Sequence, residues 1–273
     1  LGALPLKSMG VDVGTTIFWR FTLAVLLLLP VLIWRGVSLQ VTRRQLAVVA
    51  PLGIMFGLSS LTLYESFHYM DAGVACTILF VYPIMVAVIM GGLFHEHIGM
   101  PTILSICLAL CGIFLLNDPF GSGASLSGTG VTLVLVSSLT YAVYMVAVNR
   151  VHLNMNSLQL TFYVMCFCAL TAAAGAFAGG HLPRIDMTLE MWGWELMLAV
   201  LPTFLSILFI NVALVLIGST PTAILGALEP LTAVIIGIVV FGEALTFSLA
   251  SGILLVLAAV ILVILAKSRR PSR

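Results

Sequence analysis

The sequence predicts an all-α polytopic membrane protein made of two inverted five-helix repeats. Three observations carry that expectation: an extreme apolar composition, a set of landmarks that recurs at a fixed offset, and basic residues confined to alternate loops. Of the 273 residues, 62% are hydrophobic and 8% are charged, and the mean hydropathy is +1.23. A water-soluble domain of this size could not cover its surface with so few charges. Strict apolar and polar alternation over about ten residues, the mark of a membrane barrel, is absent from the sequence. Backbone polar groups in hydrocarbon must then be satisfied inside helices.

Nine apolar runs are long enough to cross about 30 Å of hydrocarbon as helices. They fall near residues 12–34, 45–69, 72–94, 99–117, 129–150, 157–178, 193–217, 220–241 and 246–266. Pro83, Phe94 and Glu96 recur 147 residues later as Pro230, Phe241 and Glu243. Run without a gap, the same offset pairs Ser59 with Ser206, Leu61 with Leu208, Ile106 with Ile253 and Leu110 with Leu257, and ten of 58 positions match. The ordered landmarks indicate a duplication. The second copy, from Val131 to Ala266, holds five runs, and the first shows four. Because Leu1 to Leu6 reads like the tail of a span, the expectation is ten helices with the first largely missing from this chain. The expected domains are residues 1–118, an N-terminally incomplete first repeat, residues 126–267, the second repeat, and residues 268–273, a cytoplasmic tail.

Short loops rich in Arg and Lys stay cytoplasmic. Arg35, Arg43, Arg44, Arg150, Lys267, Arg269, Arg270 and Arg273 fall on one side when the spans alternate, and Lys7 and Arg184 on the other. This puts both termini in the cytoplasm. Halves with an odd number of helices must then enter the membrane upside down relative to each other, an inverted-topology repeat of the kind that builds secondary transporters around a midplane site. The turn-rich connector 117–128 joins the halves, and residues 179–190 form the other sizeable loop.

Ionisable groups inside a span are costly and are functional candidates by default. Arg20 lies about nine residues into its span, roughly 13 Å deep at 1.5 Å per residue. Glu229 enters a similar distance from the opposite side, so the two are candidates for a buried ion pair that either locks the fold or meets substrate. Pro230 follows Glu229 and Pro83 follows Tyr82 at the repeat-related place. Proline removes a backbone donor and frees a carbonyl one turn earlier, near Leu79 and Gly226. Both prolines are therefore candidate kinks or gating points beside a cavity, with a plain packing kink as the alternative. The stretch YESFHYMD places Tyr64, Glu65, His68 and Asp71 toward the outer mouth. Glu65 and His68, three apart, would share a helix face and are candidates for proton coupling together with Glu229. Asn211, the counterpart of Tyr64, and Tyr141 and Tyr144 complete the candidate substrate-lining set, although aromatics at this spacing more often pack than bind.

Other features point to structure. Cys76, Cys107, Cys111, Cys166 and Cys168 all lie in apolar helices and read as small buried hydrophobes, with neither a disulfide nor a metal cluster expected. His95, Glu96 and His97 are consecutive, so they diverge around a helix and do not make a metal site. Gly53 and Gly57 are spaced for close helix packing. GxSxG, Walker, HExxH and CxxC motifs are absent; an enzyme is not expected, and no cofactor is called for.

Taken together, YMDAGVACTILFVYPIMVAVIMGGLFHE at 69–96, STPTAILGALEPLTAVIIGIVVFGE at 219–243 and WRFTLAVLLLLP at 19–30 resemble the drug/metabolite transporter superfamily of EamA type over nearly the whole chain. His95 and Glu96 stand where the second copy has Gly242 and Glu243. The resemblance implies ten helices in two inverted repeats, a central cavity open alternately to each side, and transport of small metabolites, often export of amino acids or drugs. The expected protein is an inner-membrane exporter acting on a small-molecule substrate by alternating access, embedded in the bilayer as a monomer or homodimer, without nucleic acid. The alternative is a non-transporting scaffold or a metabolite-sensing receptor.

Overall fold

The computed structural model describes residues 9–70, 72–96, 98–116, 127–151, 155–178, 183–226, 228–229, 231–232 and 247–268. Pro230, Asp71, His97, Phe241, Glu243, Lys7 and the connector 117–126 lie outside them. Every regular element among the described residues is helical. They are α1 (Val13–Trp34), α2 (Arg43–Ser66), α3 (Ala72–Leu79), α4 (Tyr82–Leu93), α5 (Met100–Leu116), α6 (Gly128–Arg150), α7 (Ser157–Ala178), α8 (Leu189–Ala199), α9 (Ser206–Ile217), α10 (Ser219–Leu225) and α11 (Phe247–Ser268). A π-helical stretch, Val200–Leu205, joins α8 to α9 without a break. Five described helical segments are long and apolar enough to cross a membrane: Val13–Trp34, Arg43–Ser66, Gly128–Arg150, Ser157–Phe177 and Leu189–Ile217.

The helix ends have local causes. Asp12 caps α1, its carboxylate accepting the Thr15 N–H at 2.9 Å and the Thr15 hydroxyl at 2.6 Å. Thr188 caps α8 by accepting the Met191 N–H, so this span starts at Leu189, four residues before the hydropathy run suggests. After Ser66 the chain turns, the Ser66 carbonyl accepting the N–H groups of both Tyr69 and Met70. His68 therefore lies in the turn and not on the Glu65 helix face.

Two prolines reshape spans that hydropathy reads as continuous. Pro83 occupies the first turn of α4, where its missing N–H is tolerated, and the span at 72–94 divides into α3 and α4. The carbonyl left over at Leu79 is approached at 3.0 Å by the Ser138 hydroxyl, which it shares with the Val134 carbonyl at 2.9 Å. Pro202 cannot donate to Leu198, and the backbone widens into the π-helical stretch. There the Thr203 hydroxyl donates to the Leu198 carbonyl at 2.7 Å. In both places a neighbouring hydroxyl satisfies what proline leaves open.

The chain forms two compact units, residues 1–65 with 147–216, and residues 66–146 with 217–273. Each unit draws on both sequence repeats. In the first, α1 packs along α7, its partner at the 147-residue offset. Gly53 and Gly57 of α2 lie against Val164, Phe167, Cys168 and Thr171 of α7, as their spacing predicts. The segment between α1 and α2 is held by Gln159 and Tyr163, which donate to the Gln40 and Leu39 carbonyls. In the second unit, α5 packs along α11, again an offset pair. Gly112 admits the Gly252 carbonyl and Val256, and Ser248 donates to the Leu115 carbonyl. Ala87, Ile106 and Ile224 form an apolar core joining α4, α5 and α10.

Candidate functional site

The first unit carries a buried polar group on α1, α2 and α8. Arg20 is 8% exposed. Its Nη1 donates to the Tyr64 hydroxyl at 2.9 Å, and the guanidinium stands 4.9 Å from the Phe21 ring centroid and 5.3 Å from that of Tyr64. Tyr64 and Arg20, both read from the sequence as candidate lining residues, are thus in direct contact. The Arg20 Nε is buried without a hydrogen-bond partner. Arg20 belongs to the first unit and Glu229 to the second.

The sequence reading missed Glu195. It is fully buried on α8, and neither carboxyl oxygen has a hydrogen-bond partner. Thr16 and the charges of Arg20 and Asp12, all from α1 or its cap, act on it. A span beginning at residue 193 would leave Glu195 at the membrane surface. With the true start at Leu189, it lies a turn deeper. Thr188, followed by the acidic first-turn residue Glu190, was the signal that could have placed it.

The end of α1 near this group is tied to the segment before α8. The Trp19 indole donates to the Arg184 carbonyl at 2.8 Å, and the Arg184 N–H donates to the Thr15 hydroxyl at 3.0 Å. Trp19 and Trp192 meet edge to face at 4.8 Å. Arg184 also pairs with Asp186 at 3.0 Å, and that hydrogen bond holds the exposed Asp186 carboxyl below its ordinary range. Asn211, on α9, is fully buried and donates to the Thr161 hydroxyl at 2.9 Å.

The second unit collects the remaining tyrosines. Tyr82 and Tyr141 meet edge to face at 4.9 Å, and Tyr141 lies parallel to Tyr144 at 6.4 Å. Tyr82 is buried and donates to the Ala223 carbonyl at 3.1 Å. Its hydroxyl occupies the space where a side chain on Gly226 would begin, so that glycine is needed for a close approach. The Gly226 carbonyl, which the sequence reading left free, accepts the Glu229 N–H at 3.0 Å. Glu229 is exposed, and its charge acts on Tyr82, Tyr141 and Cys76. Pro83 is buried beside Tyr82. Glu65 and His68 are exposed. At the end of α4, His95 adopts a left-handed φ of 52° and the Glu96 N–H donates to the Met90 carbonyl, a structural helix stop.

Each unit therefore places polar side chains beside a proline-shaped helix: α3–α4 in one, α8–α9 in the other. Groups of this kind can hydrogen-bond and charge-pair with a small polar solute.

Comparison with known proteins agrees with this architecture. The chain is 28% identical over 184 residues to a protein of Archaeoglobus fulgidus described as an uncharacterized transporter, covering 67% of this chain and 62% of that one. It is 27% identical over 199 residues to a second uncharacterized transporter, from a Synechocystis species, covering 71% and 59%. The matches thus span about three fifths of these relatives. A solved crystal structure superposes with a TM-score of 0.81 at 18% identity, over 99% of this chain and 93% of the other, a likeness of fold. Two segments, residues 6–118 and 128–265, match one family model, and the chain belongs to the EamA-like transporter family.

Proposed function

We propose that the protein is a secondary transporter that exports a small organic metabolite, an amino acid or drug-like solute, across the inner membrane by alternating access, with both termini in the cytoplasm. The observation that carries this reading is the placing of buried polar side chains, Arg20 and Glu195 in one unit and Tyr82 in the other, with half-buried Tyr64 and Tyr141 against them, on or beside helices interrupted at Pro83 and Pro202. Polar groups at membrane depth are expensive and mark solute pathways, and interrupted helices at that depth accompany binding cavities. Arg20 would meet an anionic group of the solute, and Glu229 a cationic one. Tyr64, Tyr82, Tyr141, Tyr144 and Asn211 would supply hydrogen bonds and apolar contact, with Pro83 and Pro230 as gating points.

The test is exchange in proteoliposomes loaded with radiolabelled leucine, uridine or ethidium. Transport predicts that at least one probe exchanges faster than in protein-free vesicles, and that Arg20→Gln slows it tenfold or more. If none exchanges, and none shifts thermal unfolding of the purified protein, the reading fails in favour of a non-transporting membrane component.

A further inference from the structure

Glu195 has no role among the residues the sequence singled out, yet it is the least ordinary side chain in the first unit. It is the seventh residue of α8, about 9 Å along the helix from Leu189 at 1.5 Å per residue. It is fully buried, and both carboxyl oxygens lack a hydrogen-bond partner. A carboxylate in that state has lost its water and has little beyond the nearby Thr16 hydroxyl and the Arg20 charge to replace it, whereas a protonated carboxyl sheds most of the penalty. The charged groups reaching it are few. They are Arg20 of α1 and Asp12, which caps α1. Arg20 spends its Nη1 on Tyr64 and makes no hydrogen bond to Glu195. Glu190, on the same helix, is exposed, and the π-helical stretch Val200–Leu205 carries no charge. That stretch begins five residues beyond Glu195, where the helix has given up regular hydrogen bonding around Pro202 and can yield.

We propose that Glu195 is a proton-carrying site. Its carboxyl holds a proton while the first unit is closed around it. When water reaches the contact between α1 and α8, the O–H bond breaks, the proton passes to water, and the carboxylate that remains is stabilised by Arg20. The repeat-related positions of Arg20 and Glu195 are Phe167 and Val48, so the duplication does not repeat the pair. Glu65 and His68, two of the candidates from sequence, are exposed. The use of the proton, to drive solute export, rests on the transport reading; its binding to Glu195 does not.

The experiment is infrared titration of the purified full chain in lipid nanodiscs, following the C=O stretch of protonated carboxyl groups. The expected result is a band that persists at neutral pH, is lost in Glu195→Gln, and is retained in Glu65→Gln and Glu229→Gln. Arg20→Gln should shift its disappearance to higher pH, because the lost cation favoured the anion; this arm needs no Glu195 variant to fold. No band at neutral pH, a band that survives Glu195→Gln, or a midpoint indifferent to Arg20→Gln overturns the proposal. In proteoliposomes, flux of leucine, uridine or ethidium that still follows a pH gradient after Glu195→Gln overturns it too. A titrating Glu195 band in a protein that moves none of the probes upholds the site and removes transport.

Discussion

Replacing Gly53 with alanine tests how tightly α2 and α7 are joined. A Cβ built at Gly53 would stand 2.8 Å from the Val164 carbonyl oxygen and closer still to Phe167 Cβ. Ordinary contact begins near 3.4 Å, so α7 must retreat by about 0.6 Å from the oxygen alone, and by more to clear Phe167. Neither obstacle is a flexible side-chain end: one is helix backbone and the other a Cβ fixed to it. Overpacking of this kind costs about 1–3 kcal/mol, and alanine's better helix propensity returns up to ~1 kcal/mol. The expected net loss is about 1–2 kcal/mol, enlarged by weakening of the Cys168 thiol bond to the Gly53 carbonyl, 3.3 Å long in the wild type. Gly193 on α8 is the control. Nothing lies within 4 Å of its added Cβ, so Gly193→Ala should gain about 0.5–1 kcal/mol from propensity alone. Reversible unfolding in mixed detergent micelles, followed by tryptophan fluorescence, reads both. The reasoning is refuted if the two variants shift the midpoint in the same direction.

Further expectations use the same protein and readout. Ser138→Ala strands the Leu79 carbonyl and should cost about 1–2 kcal/mol; adding Pro83→Ala, which restores a backbone donor, should recover part of that, and a strictly additive double variant would deny the link. Thr203→Val should cost a similar amount, about 1–2 kcal/mol, by leaving the Leu198 carbonyl unbonded. Gly226→Ala should expel the Tyr82 hydroxyl from its bond to Ala223, seen as altered tyrosine fluorescence together with lowered stability; unchanged spectra would contradict the packing. Asp186 titrates lower in the folded protein than in the unfolded chain. Its small contribution is therefore complete above the ordinary carboxylate range and disappears as pH falls through the lowered value. Asp186→Asn should abolish that acid-side dependence and, the pair being exposed and screened by solvent, leave the unfolding midpoint at neutral pH unchanged.

Hydropathy located most of the membrane helices because bilayer thickness sets run length: the run at 157–178 coincides with α7, and that at 12–34 with α1. It could not see the division of the span at 72–94, since Phe80 and Val81 are as apolar as their neighbours; only Pro83 signals it. Pro202 went unread because it lies outside the aligned landmarks, and the fate of its orphaned carbonyl depends on Thr203. Among the candidate residues, Arg20 and Tyr64 touch, as do Tyr82 and Tyr141. That Arg20 and Glu229 belong to separate compact units was illegible, because a duplication visible in sequence need not divide the molecule where the packing does. Glu195 was hidden by a start misplaced by one helical turn.

The pairing of α1 with α7 and of α5 with α11 also bears on how the chain is made. Neither compact unit can be completed from one repeat, so helices of the first half must wait in the bilayer with their packing faces unmatched until their counterparts, some 147 residues later, have been synthesised. Contacts so distant in sequence make assembly slow. The stretch of synthesis between α1 and α11 is the period in which the nascent protein is most exposed to mispairing and to quality-control proteases. Halves expressed as separate polypeptides should accumulate only when produced together.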